Sequence, residues 1–248
     1  DNVTRGQGKV VSSMQNQFVQ ASESGVIQAS YIKEGQKVEL GEILFEIDPI
    51  DAKTAYDQAQ QRFVSLKIQR SRLEAEINEI APTFLNELRQ IAPTVVDSES
   101  ALYQSRQAAL KSQLSVLQKK LSQREEQINE INVNINTADE TLTLVEEQIK
   151  IIKPLVDAGL SPETDLLSLL RQARDFEGKR QGGIVSLQRA RSSISEVKEQ
   201  IASAKQSFTT TSQSELAKIV AEIAEIDSRL PALKDRVDRT LIKSPVDG

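Results

Sequence analysis

The sequence predicts a mainly α-helical protein with a small β part, in which a long antiparallel coiled-coil hairpin is inserted between the two halves of a β domain. Three observations lead to this prediction. An apolar repeat with alternating spacings of four and three residues runs for about six heptads through residues 110–152. Short segments rich in Val and Ile and punctuated by Gly occupy residues 8–48, and a similar segment returns at 240–248. Aromatic residues make up only 4% of the chain and charged residues 27%, which suits a narrow helical seam better than a wide core.

The β domain is predicted in two parts that are distant in sequence. Residues 8–48 contain short alternating segments, and Gly35 and Gly41 fall between them, where tight turns need a residue that tolerates positive φ. At the other end, "RTLIKSPVDG" predicts a short strand followed by a turn. We therefore assign residues 1–50 to an N-terminal segment and the first β half, and residues 240–248 to the start of the second.

Two helices are predicted on the way out of the β domain. The first covers about residues 51–80 and is amphipathic, with Asp48 and Asp51 suited to capping its start. Pro82 and Pro93 then disfavour helix at the residues before them, and a short helix fits between them. The second long helix covers about residues 97–153.

The seam of the coiled coil is the strongest pattern in the chain, and Arg124 is its single polar member. Its positions are Leu110, Leu114, Leu117, Leu121, Arg124, Ile128, Ile131, Ile135, Ala138, Leu142, Val145, Ile149 and Ile152. The returning helix, residues 161–239, carries the matching apolar stripe. This stripe comprises Ile194, Val197, Ile201, Ala204, Phe208, Ile219, Ile223, Ile226, Leu230, Leu233 and Val237. Both stripes predict helix packing.

Helix lengths predict how the arms fold together. At about 1.5 Å per residue, the first two helices sum to about 130 Å and the third reaches about 120 Å. The simplest arrangement therefore stacks the first two end to end, antiparallel to the third. The turn, or tip, is expected at residues 154–162, where Pro154, Gly159 and Pro162 interrupt the helical pattern. Ser161 suits the N-cap of the third helix and Pro162 its first turn.

Residues that favour helix poorly occur on both arms of the predicted hairpin at about the same distance from the turn. "GKRQGG", residues 178–183, lies some twenty residues after the turn, and "INVNINTAD", residues 131–139, lies at a similar distance before it. Each glycine costs a helix interior about 1 kcal/mol relative to Ala. Two interpretations stay open: a compliant collar that lets the tip tilt, or glycines selected for close helix packing.

Composition excludes several kinds of chemistry. The chain has no Cys and no His, which removes thiolate nucleophiles, zinc sites with Cys or His ligands and the usual general base near neutral pH. The net charge of −5 and the pI of about 5.1 argue against a nucleic-acid partner. We expect no enzyme, with no catalytic, cofactor-binding or metal-binding residues. No stretch approaches the about 18 consecutive apolar residues of a membrane span.

Four stretches resemble the HlyD family of periplasmic adaptors, or membrane fusion proteins, and specifically those of type I secretion systems. They are "VTRGQGKVV" near the start, "SGVIQASYIKEGQKVELGEILFEIDP" as the first half of a lipoyl-like domain, "PLVDAGLSPETDLLSL" at the turn, and "RVDRTLIKSPVDG" before the second half. The segment between the prolines, followed by "ALYQSR", is most similar to the LapC-type branch, which is associated with the export of large repeat-rich adhesins.

This resemblance implies the partners and the location. An N-terminal membrane helix, missing from this sequence, would anchor the protein to the inner membrane, with the rest in the periplasm. Copies would assemble as a ring, expected to be a hexamer, that joins an inner-membrane ABC transporter to a TolC-like outer-membrane channel for an exported protein substrate. In a true lipoyl domain a modified Lys lies between the two halves, but here the coiled coil occupies that place, so no cofactor is expected.

In the family, the hairpin tip meets the channel and carries an Arg, a Leu four residues later and a Ser seven beyond that. Here Leu155 matches the Leu, Ile151 stands at the Arg position, and Pro162 stands at the Ser position with Ser161 one residue early. The residues expected to bind the channel are Lys150, Lys153, Leu155, Gly159, Ser161 and Pro162.

Two other functions stay open. An adaptor subunit of a tripartite multidrug efflux pump would have a similar build, although the divided first arm and the segment between the prolines favour secretion. A free-standing coiled-coil scaffold is disfavoured by the β segments at both ends of the chain.

Overall fold

A computed structural model describes residues 3–8 and 17–248 of the chain. The predicted "VTRGQGKVV" segment lies partly outside the described residues. The elements follow in the order β1 (Ile27–Ser30), β2 (Ile43–Ile47), α1 (Ile50–Ile77), α2 (Asn86–Ile91), α3 (Pro93–Asp157), α4 (Glu163–Asp238) and β3 (Leu241–Lys243). The predicted fold class, a helical hairpin inserted into a small β part, is confirmed. None of the helices in these two described stretches is long and apolar enough to cross a membrane.

The chain divides into two units. The first comprises the described residues of 1–71 together with Phe84–Val96 and Ala217–Gly248, and the second comprises Arg72–Thr83 and Asp97–Leu216. The first unit holds the sheet, and the second holds the helical hairpin with its turn. Each is described by itself below.

The sheet of the first unit joins the two ends of the sequence. Its strand order is β1-β2-β3, and both pairs are antiparallel. Gly35 and Gly41 have φ of 79° and 83°, which fits the tight turns predicted at these positions because glycine adopts positive φ without strain. Beyond β3, the Asp247 carboxylate accepts a hydrogen bond from the Leu40 N–H at 2.6 Å. The predicted return of the chain to the first β half is therefore present.

The helical core of the first unit forms where α1, α2 and the start of α3 meet. Asp48 accepts a hydrogen bond from the Ile50 N–H at 3.0 Å, so it caps α1 as predicted. Further along, an apolar cluster buries Val64, Ile68, Leu88 and Val96. The segment between the prolines thus folds back on α1 through the short helix α2.

In the second unit, α1 and α3 overlap side by side, where a simple end-to-end stack had been expected. A buried network of charged side chains joins the two helices there. Arg72 of α1 donates to Glu99 of α3 at 2.5 Å and to Glu76 at 2.7 Å, and the Arg106 Nε of α3 lies 3.4 Å from a Glu76 oxygen. Because rising numbers on α1 pair with rising numbers on α3, the two helices run in the same direction here.

The same network extends to α4 and joins α1, α3 and α4 at one level of the hairpin. The Ser212 hydroxyl donates to Glu76 at 2.7 Å, and Arg106 donates to Glu215 at 2.9 Å. Glu76 and Ser212 are 1% and 0% exposed. Burial acts to lower the pKa of Arg72, but its hydrogen bonds to Glu99 and Glu76 outweigh burial and raise it above the ordinary value. Arg72 is therefore charged at any working pH.

The hairpin seam of the second unit is confirmed by burial. Every predicted seam position of α3 is buried or half-buried, and so are the predicted α4 positions of this unit, from Ile194 to Phe208. The remaining α4 positions, from Ile219 to Val237, belong to the first unit and are half-buried there. Lys120 of α3 lies 3.5 Å from Gln200 of α4, and Asp139 of α3 lies 2.7 Å from Arg180 of α4. Residue numbers therefore rise along α3 while they fall along α4. The two helices are therefore antiparallel. Most seam side chains stay half-buried because two helices cover only one side of each.

Candidate partner-docking tip

The turn between α3 and α4 occupies residues 158–162, and a Schellman motif ends α3. The Leu160 N–H donates to the Leu155 carbonyl at 2.8 Å, and the Gly159 N–H donates to the Val156 carbonyl at 2.9 Å. Gly159 has φ of 71°, the left-handed conformation that this motif requires and that glycine adopts without strain. Gly159 therefore fixes the point at which the chain reverses.

Pro154 does not end α3, so the turn is shorter than the predicted tip of residues 154–162. The helix continues to Asp157. A proline in the last turn removes one helical hydrogen bond, the one to the Lys150 carbonyl. The Ala158 N–H still donates to the Pro154 carbonyl at 3.1 Å, so the helix persists.

The start of α4 also differs from the prediction by about one residue. The helix begins at Glu163, and the Pro162 carbonyl accepts a hydrogen bond from the Asp165 N–H at 3.2 Å. Pro162 thus stands immediately before the first helical residue, in the position expected for Ser161. The two acidic residues Glu163 and Asp165 lie in the first turn, where they interact favourably with the helix dipole.

The tip exposes large apolar side chains on both of its helices and on the turn. Leu160 is 76% exposed and Ile151 is 67% exposed. Leu160 occupies the motif position whose side chain usually packs back against the helix, yet it faces solvent. We name these exposed residues the tip patch: Ile151, Leu155, Leu160, Leu167 and Leu170. All five lie within eight residues of the turn, and exposed apolar surface in excess marks interaction sites in soluble proteins.

The predicted site residues lie at this tip. Ser161 is half-buried, and the other predicted residues are exposed: Lys150, Lys153, Leu155, Gly159 and Pro162. The sequence prediction did not include Ile151, Leu160, Leu167 or Leu170. One signal was available for Leu160, because a large apolar residue directly after the glycine of a turn lies outside the seam repeat. The exposure of the other three depends on the packing of α3 against α4.

The described parts of the chain contain no group of three or more Asp or Glu residues placed to hold a metal ion. The tip itself offers apolar surface, two exposed ammonium groups on α3 and carboxylates at the start of α4. These groups can bind a complementary protein surface.

The fold and the tip together define a class of protein: a long helical hairpin that leaves a small sheet after β2, exposes an apolar turn and returns to the sheet at β3. The model of the family described as "AprE, long alpha-helical hairpin" matches residues 52–236. The chain belongs to this family. The resemblance to secretion adaptors predicted from the sequence is thereby confirmed at the level of the family.

Two solved structures are similar to this chain. One is the crystal structure of the soluble domain of LipC, a membrane fusion protein of a type I secretion system, with a TM-score of 0.87 and 20% identity over 94% of this chain and 90% of that one. The other is the periplasmic adaptor protein EmrA, with a TM-score of 0.53 and 20% identity over 93% of this chain and 66% of that one. A comparison with curated protein sequences found no match. At this identity the two structures establish the fold.

Proposed function

We propose that this chain is the periplasmic adaptor of a type I secretion system. The observation that carries the proposal is the family match over residues 52–236, which covers the hairpin. The similarity in fold to the soluble domain of LipC supports it. In this role the chain is not an enzyme: it aligns and seals an export path whose energy comes from a partner.

The proposed partners follow from that role. The adaptor joins an inner-membrane ABC transporter to a TolC-like outer-membrane channel, is anchored to the inner membrane and extends through the periplasm. Copies assemble as a ring, expected to be a hexamer. The similarity of the segment between the prolines to the LapC-type branch supports a large repeat-rich adhesin as the exported protein.

The hairpin tip is the proposed contact with the channel. Burying an exposed Leu or Ile side chain contributes about 1.5–3 kcal/mol, so a few residues of the tip patch suffice for specific docking. Gly159 holds the turn in one conformation, which lowers the entropy cost of binding. Lys150 and Lys153 add positive charge beside the patch, suited to carboxylates on the channel.

A matched pair of substitutions tests this contact in cells that produce the full-length protein. Ile151→Asp places a charge in the tip patch. Val133→Asp places the same charge on the same helix, about 27 Å away by the helical rise, at a β-branched residue of similar exposure, 63% against 67%. Secreted substrate in the medium should fall about tenfold or more for Ile151→Asp, while Val133→Asp should secrete normally.

Both variants must first be shown to accumulate to equal levels with equal helical content by circular dichroism. Leu160→Asp gives an independent repeat on the turn, outside either helix. Secretion by Ile151→Asp and Leu160→Asp at the level of Val133→Asp would remove the tip from the proposed contact.

The second candidate function is an adaptor for multidrug efflux, and the similarity in fold to the periplasmic adaptor EmrA favours it. That similarity is weaker, with a TM-score of 0.53 against 0.87 for LipC. Deleting the gene distinguishes the two. Loss of a secretion adaptor would leave the exported protein inside the cell without changing drug susceptibility, whereas loss of an efflux adaptor would raise drug susceptibility and leave secretion intact.

A further inference from the structure

The second unit contains an open groove at the point where α1 stops. Helix α1 ends at Ile77 in a Schellman motif of its own: the Ile80 N–H donates to the Ala75 carbonyl at 3.0 Å, and Glu79 stands at the left-handed position with φ of 55°. The Tyr103 hydroxyl donates to the Ile80 carbonyl at 2.8 Å and holds this end in place. Helices α3 and α4 continue beyond it, and among residues 3–8 and 17–248 no third helix covers them there.

The floor of this groove is the exposed continuation of a buried seam. Ser212 of α4, which lies beside α1, is fully buried, whereas Phe208, about one turn further along α4, is only half-buried. Leu110 and Leu114 of α3 are half-buried at the same groove. Together these three side chains floor a cavity of about 550 Å³, which we name the α1-end groove. The apolar surface that α1 covers earlier in the unit is therefore left uncovered here.

Charges around the groove define what could fill it. Lys111 of α3 and Lys205 of α4 are exposed on its walls, and Glu79 lies at the end next to α1. A helix N-terminus carries partial positive charge and is favoured next to a carboxylate. Acidic side chains are favoured opposite the two ammonium groups. The groove therefore suits a helix that begins at Glu79 and has acidic residues along both flanks.

We propose that the α1-end groove binds an amphipathic helix of a partner protein, with its N-terminus against Glu79, an apolar face on Leu110, Leu114 and Phe208, and acidic residues beside Lys111 and Lys205. The lining residues of α3 run from Tyr103 to Gln118, so the bound helix is about 15 residues long. Its apolar residues recur at spacings of three and four, as in other helices that bind in grooves. The bound helix prolongs the path of α1 and restores three-helix packing.

The test measures binding of labelled synthetic helices to the purified protein. One peptide of about 15 residues carries Leu on one face, Glu on both flanks and a free positive end at its N-terminus; the second is identical except that Lys replaces Glu. Fluorescence anisotropy should show that the Glu-flanked peptide binds more tightly, by about tenfold or more, and that added salt weakens it.

A charge-swapped protein makes the test specific to this groove. Lys111→Glu combined with Lys205→Glu should reverse the preference, so that the Lys-flanked peptide binds more tightly. Both lysines are exposed, so the fold is expected to persist, and Lys119→Glu with Lys198→Glu is the control because both residues are exposed on the same helices and neither lines the groove.

Three results would overturn the proposal: no binding of either peptide, a preference unchanged by the groove swap, or a preference reversed equally by the control swap. Sedimentation of the protein without peptide tests whether a second copy of this chain fills the groove instead. Self-association that the groove swap abolishes and the control swap retains would assign the groove to a second copy of this chain and exclude the partner helix. None of these results depends on a secretion assay, so failure here leaves the proposed adaptor function standing.

Discussion

The buried carboxylate of Glu76 should be the most sensitive position in the hairpin unit. It accepts hydrogen bonds from Arg72 and Ser212, both at 2.7 Å, and lies 3.4 Å from the Arg106 guanidinium. Glu76→Leu replaces the carboxylate with an apolar side chain of comparable size, and it leaves two guanidinium groups and a hydroxyl without this acceptor. Removing one partner from a buried ion pair costs about 3–5 kcal/mol, because the remaining charge is left uncompensated.

The contacts that the two arginines keep decide how much stability Glu76→Leu costs within that range. Arg72 keeps Glu99 at 2.5 Å, and Arg106 keeps Glu215 at 2.9 Å, so neither arginine is left wholly unpaired. We therefore expect the lower end, about 3 kcal/mol, for Glu76→Leu. Glu76→Gln keeps one carbonyl acceptor and loses the charge, so it should cost about 2 kcal/mol.

An exposed ion pair in the same unit provides the matched control. Asp139 and Arg180 approach to the same 2.7 Å, but about half of each side chain is exposed. Asp139→Asn should therefore cost less than about 1 kcal/mol, because solvent already screens the pair. Glu76→Gln and Asp139→Asn make the same change, from carboxylate to amide, so the difference between them measures the effect of burial and of the further partners of Glu76.

Thermal unfolding followed by circular dichroism measures the effect, and hydrogen exchange locates it. For a chain of this size about 3 kcal/mol corresponds to a fall in Tm of about 6–12 °C. Amide exchange near Arg72 and Glu76 should accelerate, while amides near Gly159 should be unaffected. A Tm for Glu76→Leu equal to that of Asp139→Asn would refute the reasoning that the buried network holds the three helices together.

Three further predictions follow from individual residues. Glu79→Gly should raise the free energy of unfolding in urea by about 1 kcal/mol, because glycine adopts the positive φ there without strain. Gly183→Ala should lower it by about 1–3 kcal/mol, because the added Cβ would meet an α3 side chain at 2.5 Å, whereas Gly178→Ala, with no atom within 4 Å, should raise it by about 1 kcal/mol. The hydrogen bond of Tyr31 to the Glu46 carboxylate raises the pKa of Tyr31 above 10.0, so its contribution to stability is complete below pH 10.0 and is lost as the pH rises through the folded-state pKa. Absorbance titration should show Tyr31 ionising above pH 10.0, and Glu46→Ala, which removes the acceptor, should abolish the delay.

The hairpin could be predicted from the sequence because its pattern is local and long. A four-three repeat sustained through residues 110–152 leaves one face of a helix apolar, and only a second apolar helix can cover it. The matching stripe on the other side of the turn supplied that helix. The junction between the first two helices could not be predicted in the same way. It depends on Arg72 and Glu76 pairing with residues of α3 and α4, and charged residues on a helix are more often solvated.

The turn shows both the value and the limit of sequence rules. Gly159 was identified as part of the tip, and its φ of 71° explains why glycine stands there. Pro154 was expected to break the helix, but the rule applies to helix interiors, and in the last turn only the hydrogen bond to Lys150 is lost. The sequence places Leu160 directly after the turn glycine and outside the seam repeat, but only the structure shows that it is exposed, because the residue at this position of a Schellman motif usually packs back against its helix.

The three glycines of α4 at residues 178–183 differ in how closely they pack against α3. Gly183 packs so closely on Ile135 that a Cβ would meet its side chain at 2.5 Å, which supports the close-packing interpretation at this position. A Cβ added at Gly178 or Gly182 would meet no atom within 4 Å, so close packing does not explain these two glycines. Each still costs its helix about 1 kcal/mol. A compliant collar therefore stays a hypothesis for Gly178 and Gly182 alone, on the outer side of a helix whose inner side is held tightly at Gly183.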